Sequence, residues 1–246
     1  KRGLAMAPHP VRNFCAIGIA EFEGRVVGEN SCDHLMRGLA EIFPGCNMVV
    51  YGGAVMVLIS FDERNLHLSF DRPRLSELLE SHDACMGISN ASRNRAMLRT
   101  LAMQCRSTLR LARVLRASTE NRIFLHEDYS IYNIIDLCAR SFKEEYHHDD
   151  LLYLIHPCIV QLARYDLKNS SNLVEVLYHY LVSGCNLVKT ARALYMHRNT
   201  VLNKVNKAID IIGRSLEDGE FQQRLMFSTQ LLRYFERYLG KDVILN

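Results

Sequence analysis

The spacing of apolar residues changes near residue 125, and that change restricts the fold more than any single motif. Before it, strand-length runs rich in Val, Ile, Met and Cys stand at Phe14–Ile19, Met48–Tyr51, Ala54–Ser60 and Ala84–Ser89. Helical spacing separates them. Leu35, Leu39 and Ile42 recur at intervals of four and three, and Leu98, Leu101, Leu109, Ala112 and Leu115 mark a longer helix to about Ala117. Strand, helix, hairpin, helix, strand, helix is the order of a small α/β sandwich, expected to carry its helices on one sheet face. Val55–Ile59 is apolar throughout, so that strand is expected at the sheet centre, buried on both faces.

After residue 125 only helical patterns remain. Ile131, Ile134, Ile135 and Cys138 predict one helix, and Leu151, Leu152, Ile155 and Ile159 another that Pro157 kinks or ends near Ile155. The polar run Lys143–Asp150 between them reads as a surface connection. Asp166–Asn172 is a turn and cap cluster before a helix over Leu173–Val182, and the second domain boundary is placed near Asp166. The fold class is therefore α+β, in three parts: an α/β sandwich over 1–126, a helical connector over 127–165 and an all-α domain over 166–246. No apolar run reaches the ~18 residues of a membrane helix; Met48–Ile59 comes nearest and Gly52-Gly53 splits it. Eight cysteines without a CxxC pair or a secretory signal predict reduced thiols packed as small apolar groups in a cytoplasmic protein.

The stretch from Asn186 to Val205 carries the function. Asn186 is placed to cap a helix starting at Leu187, with Val188, Ala191 and Leu194 as its inner face. Ala191 is small where a second helix must cross closely. After a turn at Tyr195–His197, the second helix runs from about Arg198 to Ile212, with Val201, Val205, Ala208 or Ile209, and Ile212 inward. Its other face carries Arg198, Asn199, Asn203, Lys204 and Lys207. Asn, Arg and Lys are the side chains that pair bidentately with adenine and guanine edges in the major groove. From Asn186 to Lys207 there are five basic residues and no acidic ones, leaving −2 on the rest of a chain whose total is +3. Arg198, Asn199, Asn203 and Lys207 are expected at groove contacts, and Lys189, Arg192 and Lys204 at phosphates. His197 and Thr200 complete the candidate set.

The run Leu194-Tyr195-Met196-His197-Arg198-Asn199-Thr200 resembles the approach to the recognition helix in the PucR/CdaR-type bacterial transcriptional regulators. The resemblance extends over roughly Ile159–Leu239, including Leu162–Asp166 and Leu173–Leu181. It implies a regulator that binds double-stranded DNA. A homodimer is expected, and a further reading gives the first domain a purely structural role, pairing protomers so that two recognition helices span adjacent major grooves about 34 Å apart. One departure stands out: where that family commonly has Tyr-Arg-Leu, this chain has Asn203-Lys204-Val205, and Lys204 lacks the guanidinium fork. A closing helix is expected with Phe221, Leu225, Leu232, Phe235 and Leu239 on one side, and no wing hairpin.

The N-terminal sandwich is similar to the GGDEF-like domain that often precedes this helix-turn-helix. Its hairpin reads Tyr51-Gly52-Gly53-Ala54-Val55-Met56, so the glycines of the turn remain while Ala54 and Val55 stand where the metal-binding carboxylates would be. Cys85–Ser89, Arg106–Ala117 and Asn121–Phe124 follow the same order. Without carboxylates the two-metal chemistry cannot be assembled, so no enzyme activity, catalytic residue or cofactor is expected. The alternative reading is a nucleotide- or ligand-sensing domain with an accessory helical tail. His147-His148-Asp149-Asp150 is read as a solvated linker rather than a metal site, and His126-Glu127-Asp128 lacks metalloprotease spacing. The chain starts at Lys1 rather than Met, as a fragment would, and in this family the sensory region usually precedes the GGDEF-like part. A small-molecule effector is then expected to act outside this sequence.

Overall fold

The computed structural model describes residues 14–23, 29–62, 68–115, 120–148 and 154–240. The chain divides into two compact units, Lys1–Asn133 and Ile134–Asn246.

The first unit is built on five strands: β1 (Phe14–Phe22), β2 (Asn47–Tyr51), β3 (Ala54–Phe61), β4 (Ala84–Ile88) and β5 (Ile123–Leu125). Their order is β2-β3-β1-β4-β5, antiparallel except for the β4/β5 pair. Helices α1 (Glu29–Ile42) and α2 (Arg72–Ser81) cover one face, where Leu35, Leu39, Leu75 and Leu79 meet Ala16, Val55, Val57, Ile59 and Met86. Helix α3 (Leu98–Leu115) covers the other, with Leu101, Cys105, Leu109 and Ala112 against Cys15, Ile17, Ile19 and Cys85.

Helices on both faces replace the one-faced sandwich expected from the element order. Alternate residues of β1 need cover on opposite sides, since all of Phe14–Ala20 are buried. The central strand is β1 and not β3, whose Met56, Leu58 and Ser60 are only half-buried. The helix ending expected at about Ala117 is described to Leu115; residues 116–119 lie outside the described set.

Three glycines, at two places in the chain, fix this unit. A Cβ on Gly87 would lie 2.8 Å from the Cys105 carbonyl oxygen, so α3 approaches β4 only because residue 87 has none. Gly52 and Gly53 both have positive φ, 61° and 78°, as a two-residue hairpin turn requires. Cys15, Cys32, Cys85 and Cys105 are buried, and burial pushes the Cys105 thiol up to about 12 while its Sγ donates to the Ile17 carbonyl.

Helix α4 (His126–Tyr146) follows β5 directly and crosses the division between the units. Its buried residues are His126, Tyr132, Asn133, Ile135, Asp136 and Ala139; Ile131, Ile134 and Cys138 are exposed. The second unit continues with α5 (Pro157–Asn169), α6 (Leu173–Val182), α7 (Leu187–Ala193), α8 (Arg198–Ile212), α9 (Gly219–Arg233) and a π-helical turn at Tyr234–Tyr238. Pro157 begins α5 rather than kinking or ending a helix. At the first helical position its missing N–H is one that has no intrahelical partner anyway. Leu151 and Leu152, assigned to the same helix from the sequence, lie outside the described residues. No helix among the described residues is long and apolar enough to cross a membrane.

Candidate nucleic-acid interface

Asp166, expected in a turn, lies inside α5 and does the capping for α6. Its carboxylate accepts from the N–H groups of Leu173 (2.7 Å) and Val174 (2.9 Å) and from the Ser171 hydroxyl. Ser170 turns the chain with φ 48°, and Asn172 at the cap position makes no side-chain capping bond. Helix α6 is then tied to α9 through Glu175. Its carboxylate meets His179 one turn on and the Arg233 guanidinium, which also lies 4.0 Å over the Tyr178 ring.

The His179 hydrogen bond, with Arg233 adding to it, holds the Glu175 carboxyl down at about 2 against the usual 4.5. A depressed carboxylate contributes stability above its unfolded value that is lost as pH falls through the folded one. Glu175→Gln is therefore expected to flatten the loss of stability between pH 4.5 and about 2. The difference from the parent should be about 1 kcal/mol, since the carboxylate is partly solvated. Urea unfolding of parent and variant at both ends of that range measures it; parallel losses would refute the link.

The next two helices pack through Val176, Ala191, Val201 and Val205, with Leu187, Leu194, Met196 and Ile209 half-buried around them. Asn186 caps α7 as expected, its Oδ1 accepting from the N–H groups of Val188 and Lys189 at 3.0 Å. The inner face of α7 needs correction: Val188 is 46% exposed, and Thr190 is buried in its place. The Thr190 hydroxyl donates to the Asn186 carbonyl at 2.8 Å, so its burial leaves no polar atom unsatisfied.

The turn out of α7 is a Schellman motif. Met196 N–H donates to the Ala191 carbonyl at 2.9 Å and Tyr195 N–H to the Arg192 carbonyl at 3.3 Å. The left-handed position of this motif usually holds glycine; here Tyr195 takes it, with φ 51°, and is 98% exposed. His197 then caps α8, its Nδ1 accepting from the Asn199 N–H at 3.3 Å. Gly213 closes the helix with φ 69°.

Helix α8 has the expected bounds and the expected inner stripe of Val201, Val205, Ala208 and Ile212. Arg198, Asn199, Thr200 and Asn203 are exposed, as are Lys189 and Arg192 on α7. Asn199, Asn203 and Asn206 follow one another at four and three residues and form one outward amide row. Lys204 and Lys207 have partners within the domain. Lys204 Nζ donates to Asn172 Oδ1 at 2.7 Å and is half-buried, while Lys207 Nζ lies 5.5 Å over the Tyr165 ring. The structure thus brings Arg198, Asn199, Thr200 and Asn203 onto the exposed first half of α8. It assigns His197 to capping and adds two exposed residues missing from the sequence assignment, Tyr195 and Asn206. The spacing of Asn206 from Asn203 was a signal for one; nothing in the spacing marked the other.

A capped helix crossing a second capped helix through a tight turn, with an acid-free basic and amide surface, defines a helix-turn-helix domain. Residues 173–231 match the PucR C-terminal helix-turn-helix domain, so this part of the chain is similar to the DNA-binding end of that family. It is 33% identical over 85 residues to the purine catabolism regulatory protein of Bacillus subtilis (strain 168). That match covers 35% of this chain and only 16% of the relative. A regulator of polyketide synthase expression from Bifidobacterium adolescentis, of known crystal structure, is similar over 93% of this chain and 84% of its own. At 15% identity and a TM-score of 0.33, that likeness does not define the fold.

Proposed function

We propose that the chain is a sequence-specific regulator that reads duplex DNA through α8, acting as a dimer. The observation that carries this is the exposed, acid-free surface of Lys189, Arg192, Arg198, Asn199 and Asn203 on two rigidly capped helices. Arg198, Asn199, Asn203 and Lys207 are assigned to the groove, with Lys207 leaving the Tyr165 ring on binding. Lys189, Arg192 and Lys204 are assigned to phosphates, and Thr200 flanks them. Tyr195 joins the set because an aromatic ring fully in water at a strained backbone position serves no packing purpose. The three-part division at 1–126, 127–165 and 166–246 is kept, with the GGDEF-like part and the connector supplying dimerisation. Mobility-shift titration with duplex DNA from upstream of the chain's own operon tests the reading. Three phosphate contacts per protomer predict a log–log salt slope of about −2.7 per protomer. A salt-insensitive complex, or none, would sink it.

A second reading is favoured by one groove in the first unit. About 590 Å³ in volume, it is lined by Glu21, Tyr51, Gly52, Arg106, Arg110 and Arg113, among others, beside the hairpin turn. Arg113 pairs with Glu21 at 2.7 Å and the Arg106 guanidinium lies 5.7 Å over the Tyr51 ring. Three arginines beside an open glycine suit a phosphate-bearing nucleotide. Calorimetry with GTP and magnesium should give a saturable heat, and a flat titration removes this reading.

A further inference from the structure

A second cavity lies at the other end of the sheet. The hairpin turn stands beside the C-terminal end of β1, where Glu21 pairs with Ala54. Strand β4 runs the opposite way, Ile88 facing Gly18, so the C-terminal ends of β4 and β5 are remote from that turn. There a cavity of about 410 Å³ is walled by apolar Leu68, Phe70, Ile88, Ala91 and Leu125 and edged by Ser89, Asn90, His126 and Glu127. That volume and that mixture of an apolar wall with few polar groups are those of small-molecule sites, which run from about 300 to 1,000 Å³.

The polar groups are not equivalent. The Ser89 hydroxyl is occupied, donating to the Asn90 carbonyl and accepting from the Ile17 N–H. His126 is 9% exposed and its Nδ1 faces both the Asn133 amide nitrogen (3.3 Å) and the Thr108 hydroxyl (3.1 Å). The same amide nitrogen donates to the Tyr129 carbonyl, an obligate acceptor, which orients the amide and makes Nδ1 an acceptor too. The proton of the neutral ring therefore sits on Nε2. That nitrogen makes no hydrogen bond among the described residues, and it is not among the sealed polar atoms. Burial also holds this imidazole below its ordinary value, which favours the neutral ring.

We propose that this cavity binds a compact, uncharged carbonyl compound, an amide or lactam, whose oxygen accepts from His126 Nε2–H and whose body packs on Leu68, Phe70 and Leu125. Charge selects against the alternatives. No Lys or Arg lines the cavity, and Glu127 stands at its edge with Asp128 next in the chain, so an anion is repelled. A cation would meet the Nε2–H proton head-on. An amide or lactam N–H has Glu127 as its acceptor. The site is independent of the DNA interface and of the arginine groove.

The test is titration of the full chain with benzamide and with 2-pyridone, following the His126 ring ¹⁵N signals by NMR. Both are small, so dissociation constants on the order of millimolar are expected. At least one probe should shift the Nε2 signal saturably. Ala91→Trp, which fills the cavity, should weaken binding by about tenfold or more, since a blocked site offers no buried surface. Asn90→Trp, at the exposed edge, should do the same and gives a reading should Ala91→Trp fail to fold. No shift of His126 with either probe up to about 30 mM, well past the expected constants, overturns the proposal. Undiminished binding in a folded tryptophan variant overturns it too.

Discussion

Alanine at both Arg198 and Asn203 is expected to cut affinity for the operator by on the order of 10²–10⁴-fold while leaving stability within about 0.5 kcal/mol of the parent. Each bidentate base contact discriminates by about 1–3 kcal/mol, and the two side chains lie far enough apart on the helix surface for their losses to add roughly. Neither supports the fold: both are exposed, and the helix start is held by His197 and not by Arg198. The loss should fall on specific binding, with the salt slope little changed, because Lys189 and Arg192 remain. Gel-shift titration against operator and scrambled duplex, with urea unfolding of the same preparations, measures all three. Parental affinity in the double variant would show that α8 does not read bases through these two residues.

Tyr195→Gly is expected to move two properties in opposite directions. A left-handed conformation costs an L-residue about 1–2 kcal/mol, and glycine adopts it freely, although its looser unfolded chain returns part of that gain. Stability should therefore hold or rise by up to about 1 kcal/mol. Nothing is lost in packing, since the ring is 98% exposed. DNA affinity should fall about tenfold, the size of one well-placed contact. A drop in stability would mean that the ring packs after all. Unchanged affinity with unchanged stability would leave the tyrosine without a part in binding.

The local features of the second unit could be read from sequence because their causes are local. Asn186 lies within three residues of the N–H groups it caps, and Val201, Val205 and Ala208 follow the helical repeat directly. Val188 and Thr190 were exchanged because the apolar residue is the usual inward one. The hydroxyl that makes Thr190 an acceptable core residue bonds back inside its own turn, which a hydropathy pattern does not record. Tyr195 was invisible for a related reason: an aromatic residue beside a helix normally signals packing. Asp166 reaches seven and eight residues along the chain, beyond the range of ordinary capping rules. In the first unit the strands themselves were legible. Their order was not, because β1 and β3 are equally apolar and only long-range pairing puts β1 in the middle. The lone-glycine contact at Gly87 and the His126 cavity arise from residues far apart in sequence, and no spacing announces them.

Asp166 belongs to two helices at once, the backbone of α5 and the first turn of α6. One carboxylate thus serves as a corner joint. The direction in which the chain leaves α5 toward the helix-turn-helix is set by a side chain seven residues ahead of the helix it starts, acting as a template rather than as a reader of any ligand.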